Sequence, residues 1–165
     1  MSALAQGRAV VITVSDRSSA GERADRSGPL AAELLSGLGF TVDPVVVVPD
    51  EADQVESALR AAVLVADLVV TTGGTGIAPR DVTPEATARV VERLVPGIPE
   101  AIRAYSLASV PTAALSRGLA GVAGRALVVN LPGSPGGVRD GVAVLGGVVG
   151  HALAQLRGAD HPSVP

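Results

Sequence analysis

The chain has 165 residues, 47% of them hydrophobic, with a formal net charge of -3 and a mean hydropathy of +0.43, enough apolar material for one core in one domain. That charge balance offers no basic field for nucleic acid, and aromatics at 1%, in effect Phe40 and Tyr105, offer no platform for stacking single-stranded bases. With no Cys, disulfides, thiolate metal sites and a cysteine nucleophile are excluded.

Ala9 to Val14 is a β-branched run suited to a buried strand, ending at Ser15-Asp16. The short apolar run behind a lone Arg8 lacks a small-residue cleavage site, so it reads as a first strand and not a signal peptide, and a cytoplasmic protein is expected. Arg17 to Ser27 is polar and predicts a loop at the strand's carboxyl end. Leu30, Leu34, Leu35 and Leu38 recur at helical spacing until Gly39. Phe40 to Val48 is a second strand region, interrupted by Asp43-Pro44 and ended by Pro49-Asp50; Val55, Leu59, Ala62 and Val63 then mark a helix facing the core.

The next stretch, DLVVTTGGTGIAPRDVTPEAT from Asp67 to Thr87, is the most informative. Leu68 to Val70 predicts a buried strand that Gly73, Gly74 and Gly76 stop abruptly. Such a turn, with the hydroxyls of Thr71, Thr72 and Thr75 and unobstructed peptide N–H groups, suits an anion such as phosphate. Asp81 follows in a loop, and Thr83 reads as an N-cap with Pro84 at the first helical position. Read alone, the stretch equally suits a plain tight turn with Asp81 as a solvated acid. It is not a P-loop, which needs a Lys that this chain lacks altogether, all 13 basic residues being Arg, and its spacing is not that of a dinucleotide fingerprint.

Beyond it, Glu85 to Leu94 predicts a helix broken by Pro96-Gly97, Pro99 to Ala108 a second short one closed by Pro111, and Arg125 to Leu131 a late strand ending at Pro132-Gly133. Val138, Val142, Leu145, Val149, Ala152 and Leu156 form a helical stripe whose Gly146, Gly147 and Gly150 predict close packing. That region carries Arg139, Asp140 and His151, too polar for a membrane span. Residues 158–165 read as a frayed tail. Strands alternating with helices predict an α/β, three-layer sandwich in which a mostly parallel sheet has helices on both faces, residues 1–165 forming one domain.

In such sheets ligands bind outside the carboxyl ends of the strands. Four polar groups fall there: Ser15 and Asp16; Asp50; Gly73 to Asp81; and Asn130, Pro132, Gly133 and Ser134. They are expected on one rim. Asp50 and Asp81 each also suit a turn-forming Asp, Ser116 a helix cap, and Arg17, Arg80 and Arg117 plain surface cations as well as phosphate partners. His151 and His161 lie away from the rim and read as structural or solvated.

TTGGTGIAPRDVTPEAT resembles the signature of the MogA/MoaB family of molybdenum-cofactor biosynthesis proteins, shared with the G domains of the plant and animal fusion proteins. VSDRSSAG (Val14 to Gly21), DRSGP (Asp25 to Pro29), VVPDE (Val47 to Glu51), LSRGLAG (Leu115 to Gly121) and NLPGSP (Asn130 to Pro135) fall in the family's order. The resemblance covers all but the first few residues and the last dozen. It implies a molybdopterin adenylyltransferase using ATP and Mg²⁺, with Asp50 and Asp81 as catalytic and metal-holding acids. It further implies molybdopterin and ATP contacts from Ser15, Asp16, Thr72, Gly73, Gly74, Thr75, Gly76, Arg80, Ser116, Asn130, Pro132, Gly133 and Ser134. The resemblance, together with high apolar content and Gly-rich helical faces, implies a homotrimer, and it implies transient contact with the molybdenum-inserting enzyme; nucleic acid and membrane are not expected as partners. Two rivals remain on sequence: a non-catalytic paralogue acting as molybdopterin carrier or scaffold, and the insertion enzyme itself, a much longer protein.

Overall fold

A computed structural model describes residues 6–159. A central sheet is built from β1 (Gly7–Val14), β2 (Phe40–Val42), β3 (Val46–Val48), β4 (Leu68–Thr72), β5 (Arg93–Leu94), β6 (Ala120–Ala123) and β7 (Ala126–Leu131), in the order β2-β1-β4-β7-β6-β5 with β3 also on β1. Parallel pairing aligns Thr13 with Thr72, Val14 with Val48, and Thr72 with Leu131. The carboxyl ends of β1, β3, β4 and β7 are therefore level on one rim.

The interruption at Asp43-Pro44 splits the second strand region in two. Its first part pairs with the start of β1 and its second with the end. Asp43 turns back to accept from Arg8 Nε at 2.9 Å.

Helices α1 (Asp16–Ser19), α2 (Ser27–Gly37), α3 (Ala52–Val63), α4 (Thr83–Ala88), α5 (Gly97–Leu107) and α6 (Pro135–Leu156) join these strands, with a 3-10 turn at Pro111–Leu115. Alternation along the strands sends Ala9, Val11, Leu68, Val70, Leu127 and Val129 to one face, against α2, α5 and α6. Val10, Ile12, Val69 and Val128 go to the other, against α3 and α4. The result is the three-layer α/β sandwich.

Three expectations change. The polar stretch after β1 opens with a turn of helix, because the Ser15 hydroxyl accepts from Ser18 N at 3.2 Å and caps it. The helix expected over Glu85 to Leu94 stops at Ala88, since Arg93 and Leu94 pair antiparallel with Gly121 and Val122. β6, which local pattern does not announce, forms a hairpin with β7 turned by Gly124 at φ +58°. The α6 stripe holds at Val138, Val142, Leu145 and Val149, which are buried, while Ala152 and Leu156 are only partly buried and Leu153 takes the buried position in the last turns. Gly158 and Ala159 fold back by hydrogen bonds to Gln155 and Ala154, and the rest of the expected tail, with His161, lies outside the described residues. No helix among the described residues is long and apolar enough to cross a membrane.

Candidate active site

At the rim, Gly73 N donates to Leu131 O at 3.0 Å and Ser15 N to Val48 O at 2.9 Å, continuing the sheet pairing one residue into the loops. Gly73 has φ +89° and Gly74 φ +65°. A side chain at Gly73 would overlap the carbonyl of Val14, and one at Gly74 the hydroxyl of Thr83, so both glycines are required by conformation and by crowding. Thr83 is not the N-cap its neighbours suggest. It is the first residue of α4, fully buried, and its hydroxyl donates to Gly73 O at 2.9 Å.

The two singled-out acids flank this turn. Asp50 Oδ1 is 3.2 Å from where a Cβ on Gly74 would stand, and Asp81 Oδ2 is 2.8 Å from the corresponding point on Gly76. The missing side chains leave both carboxylates open space. Asp16 and Asp50 are joined reciprocally, each peptide N–H donating to the other's carboxylate at 2.9 Å. Arg80 donates to Asp16 through Nη2 at 2.9 Å, which holds the Asp16 carboxyl below its ordinary value. Asp81 Oδ2 accepts from Ala78 N at 3.1 Å and braces its own loop.

Burial chiefly pushes the Asp50 carboxyl above the ordinary carboxylate value; the charges of Asp16 and Asp81 add to this, while the Asp16 N–H and Arg80 oppose it. A group that binds its proton more tightly folded than unfolded costs stability when ionised. The cost is complete above the folded pKa and fades as pH falls toward the unfolded value of about 3.9. In metal-free protein, Asp50→Asn is therefore expected to raise Tm near pH 7 by roughly 1–3 °C, the gain kept small by solvent screening of a half-buried group, and to have no effect near pH 4. Melts in EDTA at both pH values check this; a lower-melting variant at pH 7 contradicts it.

Arg117 is the principal surprise. Its Nε donates to Gly76 O at 2.7 Å, Nη2 to Asp81 O at 2.8 Å, Nη1 to Glu85, and its peptide N to Thr75 O at 2.8 Å. The guanidinium is committed to the glycine loop and its acidic neighbours through each of its three nitrogens. Arg80, tied to Asp16, is the more exposed cation of the two; Arg17 is exposed on α1.

Two clefts open on either side of the rim, and Ser134, the N-cap of α6, lines both. The first, of about 460 Å³, runs past Ser15, Gly73 and Gly133 to the DRSGP segment. The second, of about 410 Å³, is bordered by Thr75, Gly76, Ser116, Pro132 and, unannounced by sequence, Ser106 and Asp140, whose side chains are bonded at 2.8 Å. The Ser116 hydroxyl accepts from Gly118 N at 3.3 Å while facing this cleft.

Thr72 and Asn130 are placed differently from the direct contacts expected of them. Thr72 is fully buried and bonded to Ser27 Oγ at 2.9 Å. The Asn130 amide donates to Thr71 and Thr87 hydroxyls at 2.9 Å and its oxygen accepts from Leu119 N. Both support the rim from beneath. Asp25, in a motif visible in the sequence, likewise accepts from Thr13 Oγ at 2.7 Å and from Gly28 N at 3.1 Å.

Residues 10–151 match the family model of the probable molybdopterin binding domain. The chain is 42% identical to a molybdenum cofactor biosynthesis bifunctional protein of Synechococcus elongatus over 98% of its own length and about half (51%) of that protein's. It is 44% identical to a molybdopterin adenylyltransferase of Helicobacter pylori over 79% of this chain and 76% of that one. The solved structure of the molybdopterin biosynthesis enzyme MoaB from Thermus thermophilus superposes with a TM-score of 0.86 at 45% identity, covering 92% of this chain and 97% of that one.

Proposed function

The chain belongs to the MogA/MoaB family of molybdopterin-binding proteins, and from that premise we propose that it is a molybdopterin adenylyltransferase. The terminal phosphate of molybdopterin attacks the α-phosphorus of ATP; a new P–O bond forms, the bond to the β-phosphate breaks, and pyrophosphate leaves with the electron pair. The attacking oxygen is already anionic, so no base and no covalent enzyme intermediate are needed. This suits a rim without Cys or His, where alignment and charge placement do the catalytic work.

The observation that carries the reading is the pair of clefts meeting at Ser134, with Asp50 and Asp81 flanking the glycine turn. Two substrates can be brought end to end there. Among the described residues no group of three or more His, Cys, Asp or Glu forms a ready cage for a metal. Two hard carboxylates whose mutual repulsion contributes to the raised Asp50 value nonetheless fit Mg²⁺, which usually takes one or two protein oxygens beside phosphate and water. Bound there, Mg²⁺ would neutralise charge on the reacting phosphates. Asp50 and Asp81 would hold it, the Asp16–Asp50 pair fixing one carboxylate and Ala78 N the other.

Purified protein given Mg-ATP and molybdopterin is expected to release pyrophosphate; a protein that binds the pterin and never consumes ATP is a carrier instead. Ser116→Ala is expected to weaken molybdopterin binding by about 1 to 3 kcal/mol with the fold intact, and unchanged affinity by titration would leave the hydroxyl as a cap for Gly118 alone. A homotrimer is part of this reading, supported by exposed Leu64, Val65 and Leu94; light scattering showing a stable monomer at micromolar concentration would remove it. The setting proposed is the cytoplasm, where ATP is at hand and the product can pass to the molybdenum-inserting enzyme.

A further inference from the structure

Arg103 and Ser106 lie three residues apart on α5 and so share one face of that helix. Ser106 is buried, borders the second cleft and is bonded to Asp140 of α6 at 2.8 Å. Arg103 is half-buried and does not border that cleft. It reaches the loop between the 3-10 turn and β6 instead: Nη1 donates to Ser116 O at 3.3 Å and to Gly118 O at 3.2 Å. Arg103, Ser106, Ser116 and Gly118 all border a pocket of about 30 Å³, of a size that holds water and not a substrate. The same loop is held from two further directions. Arg117 N donates to Thr75 O at 2.8 Å on the glycine turn, and Gly118 lies so close to β7 that a Cβ there would stand 3.2 Å from Asn130 O. Ser116 Oγ in turn accepts from Gly118 N at 3.3 Å, so the peptide planes that Arg103 fixes are those that orient this hydroxyl.

We infer that Arg103 is a positioning residue for molybdopterin binding: it fixes Ser116 relative to Ser106 and Asp140 across the second cleft, without touching the substrate. This rests on the reading in which the Ser116 hydroxyl contacts molybdopterin. One helix then sets both borders of the cleft, being tied to α6 through Ser106 and to the Ser116 loop through Arg103. Glycine has the most backbone freedom to lose, and a bond to the Gly118 carbonyl removes that freedom before the substrate arrives. A hydroxyl already in place spares the ordering cost that binding would otherwise carry. Only one nitrogen of the Arg103 guanidinium is bonded to the loop, so the loop requires a cationic donor at that point and not a planar fork. This separates Arg103 from Arg117, whose three nitrogens each have an acceptor.

The test is calorimetric titration of the full chain with molybdopterin and, separately, Mg-ATP. The proteins are wild type, Arg103→Met, Arg103→Lys, Ser116→Ala and the double variant Arg103→Met/Ser116→Ala. Met keeps the length and the apolar stem and removes the donors. Arg103→Met is expected to weaken molybdopterin at least ~5-fold, with ATP affinity within about twofold of wild type. Arg103→Lys is expected to recover most of the loss, because one ammonium can serve two carbonyls that one nitrogen serves now. In the Ser116→Ala background Arg103→Met should change molybdopterin affinity by less than about twofold, the coupling of two residues that act as a unit. Should Arg103→Met not fold, as judged by its melt, Arg103→Gln takes its place in the same cycle. Equal losses in the two backgrounds overturn the assignment, as does an equal loss for molybdopterin and ATP, or unchanged molybdopterin affinity in Arg103→Met; each leaves adenylyl transfer intact. Ser116→Ala with wild-type affinity removes the contact beneath the assignment and the assignment with it. Wild-type protein that binds no molybdopterin overturns the proposed function as well.

Discussion

Asp81→Asn is expected to lower Mg-dependent pyrophosphate release at least ~100-fold, the order lost when one electrostatic catalytic group is removed, with molybdopterin binding near wild type. The substitution changes charge and little else. An amide oxygen can still accept from Ala78 N, the contact that closes the loop, and the Asp81 peptide carbonyl still accepts from Arg117. The same holds for Asp50→Asn, whose amide oxygen can keep the bond from Asp16 N. Loss of turnover with pterin affinity unchanged and no fall in Tm would therefore report the missing carboxylate and not a displaced loop. Normal turnover in both variants would place the chemistry elsewhere and return the carrier reading.

The second large effect is expected at Arg117. Its side chain ties the carbonyls of Gly76 and Asp81 and the carboxylate of Glu85 to the segment that carries Ser116, so one guanidinium spans the glycine turn, the acidic loop and the border of the second cleft. Arg117→Ala leaves two carbonyl acceptors without this donor, at about 1–3 kcal/mol, a fall in Tm of roughly 2–10 °C. Because Asp81 loses its brace, turnover should also fall, by at least ~10-fold. Arg117→Lys should recover little, since a single ammonium cannot reach three acceptors arranged for a planar fork. Melting and pyrophosphate release measured on both variants decide the matter; an Ala variant with wild-type turnover would make Arg117 a surface ornament of the loop.

Much of this architecture is legible in local sequence. β-branched runs mark β1, β4 and β7, and the Leu and Val spacings mark α2, α3 and α6, because burial on one face imposes a period that each segment carries by itself. The convergence of Ser15, Asp50, Gly73 and Pro132 on one rim follows from strands running parallel. The Glu85 to Leu94 segment was not legible: its residues suit a helix, and only pairing of Arg93 and Leu94 with Gly121 and Val122 ends it early, long-range pairing overriding local propensity. β6 was missed because AGVA has little β-branched character. Gly121 is small for a tertiary reason, a Cβ there overlapping the Arg93 carbonyl and Val91.

Sequence by itself determined the layer order, the family, the rim and its acids, since these rest on periodicity and on colinear motifs within short stretches. Tertiary structure alone decided what each polar group does there. Thr83 reads locally as an N-cap and instead holds Gly73 O; Asn130 and Thr72 look like rim contacts and lie bonded beneath it; Arg117 looks like a phosphate ligand and is spent on the loop. The physical reason is that a hydrogen-bonding side chain is free for a ligand only if no protein partner is within reach. Those partners stand as far as 59 residues away in the chain, as Thr71 does from Asn130, at separations no local pattern encodes.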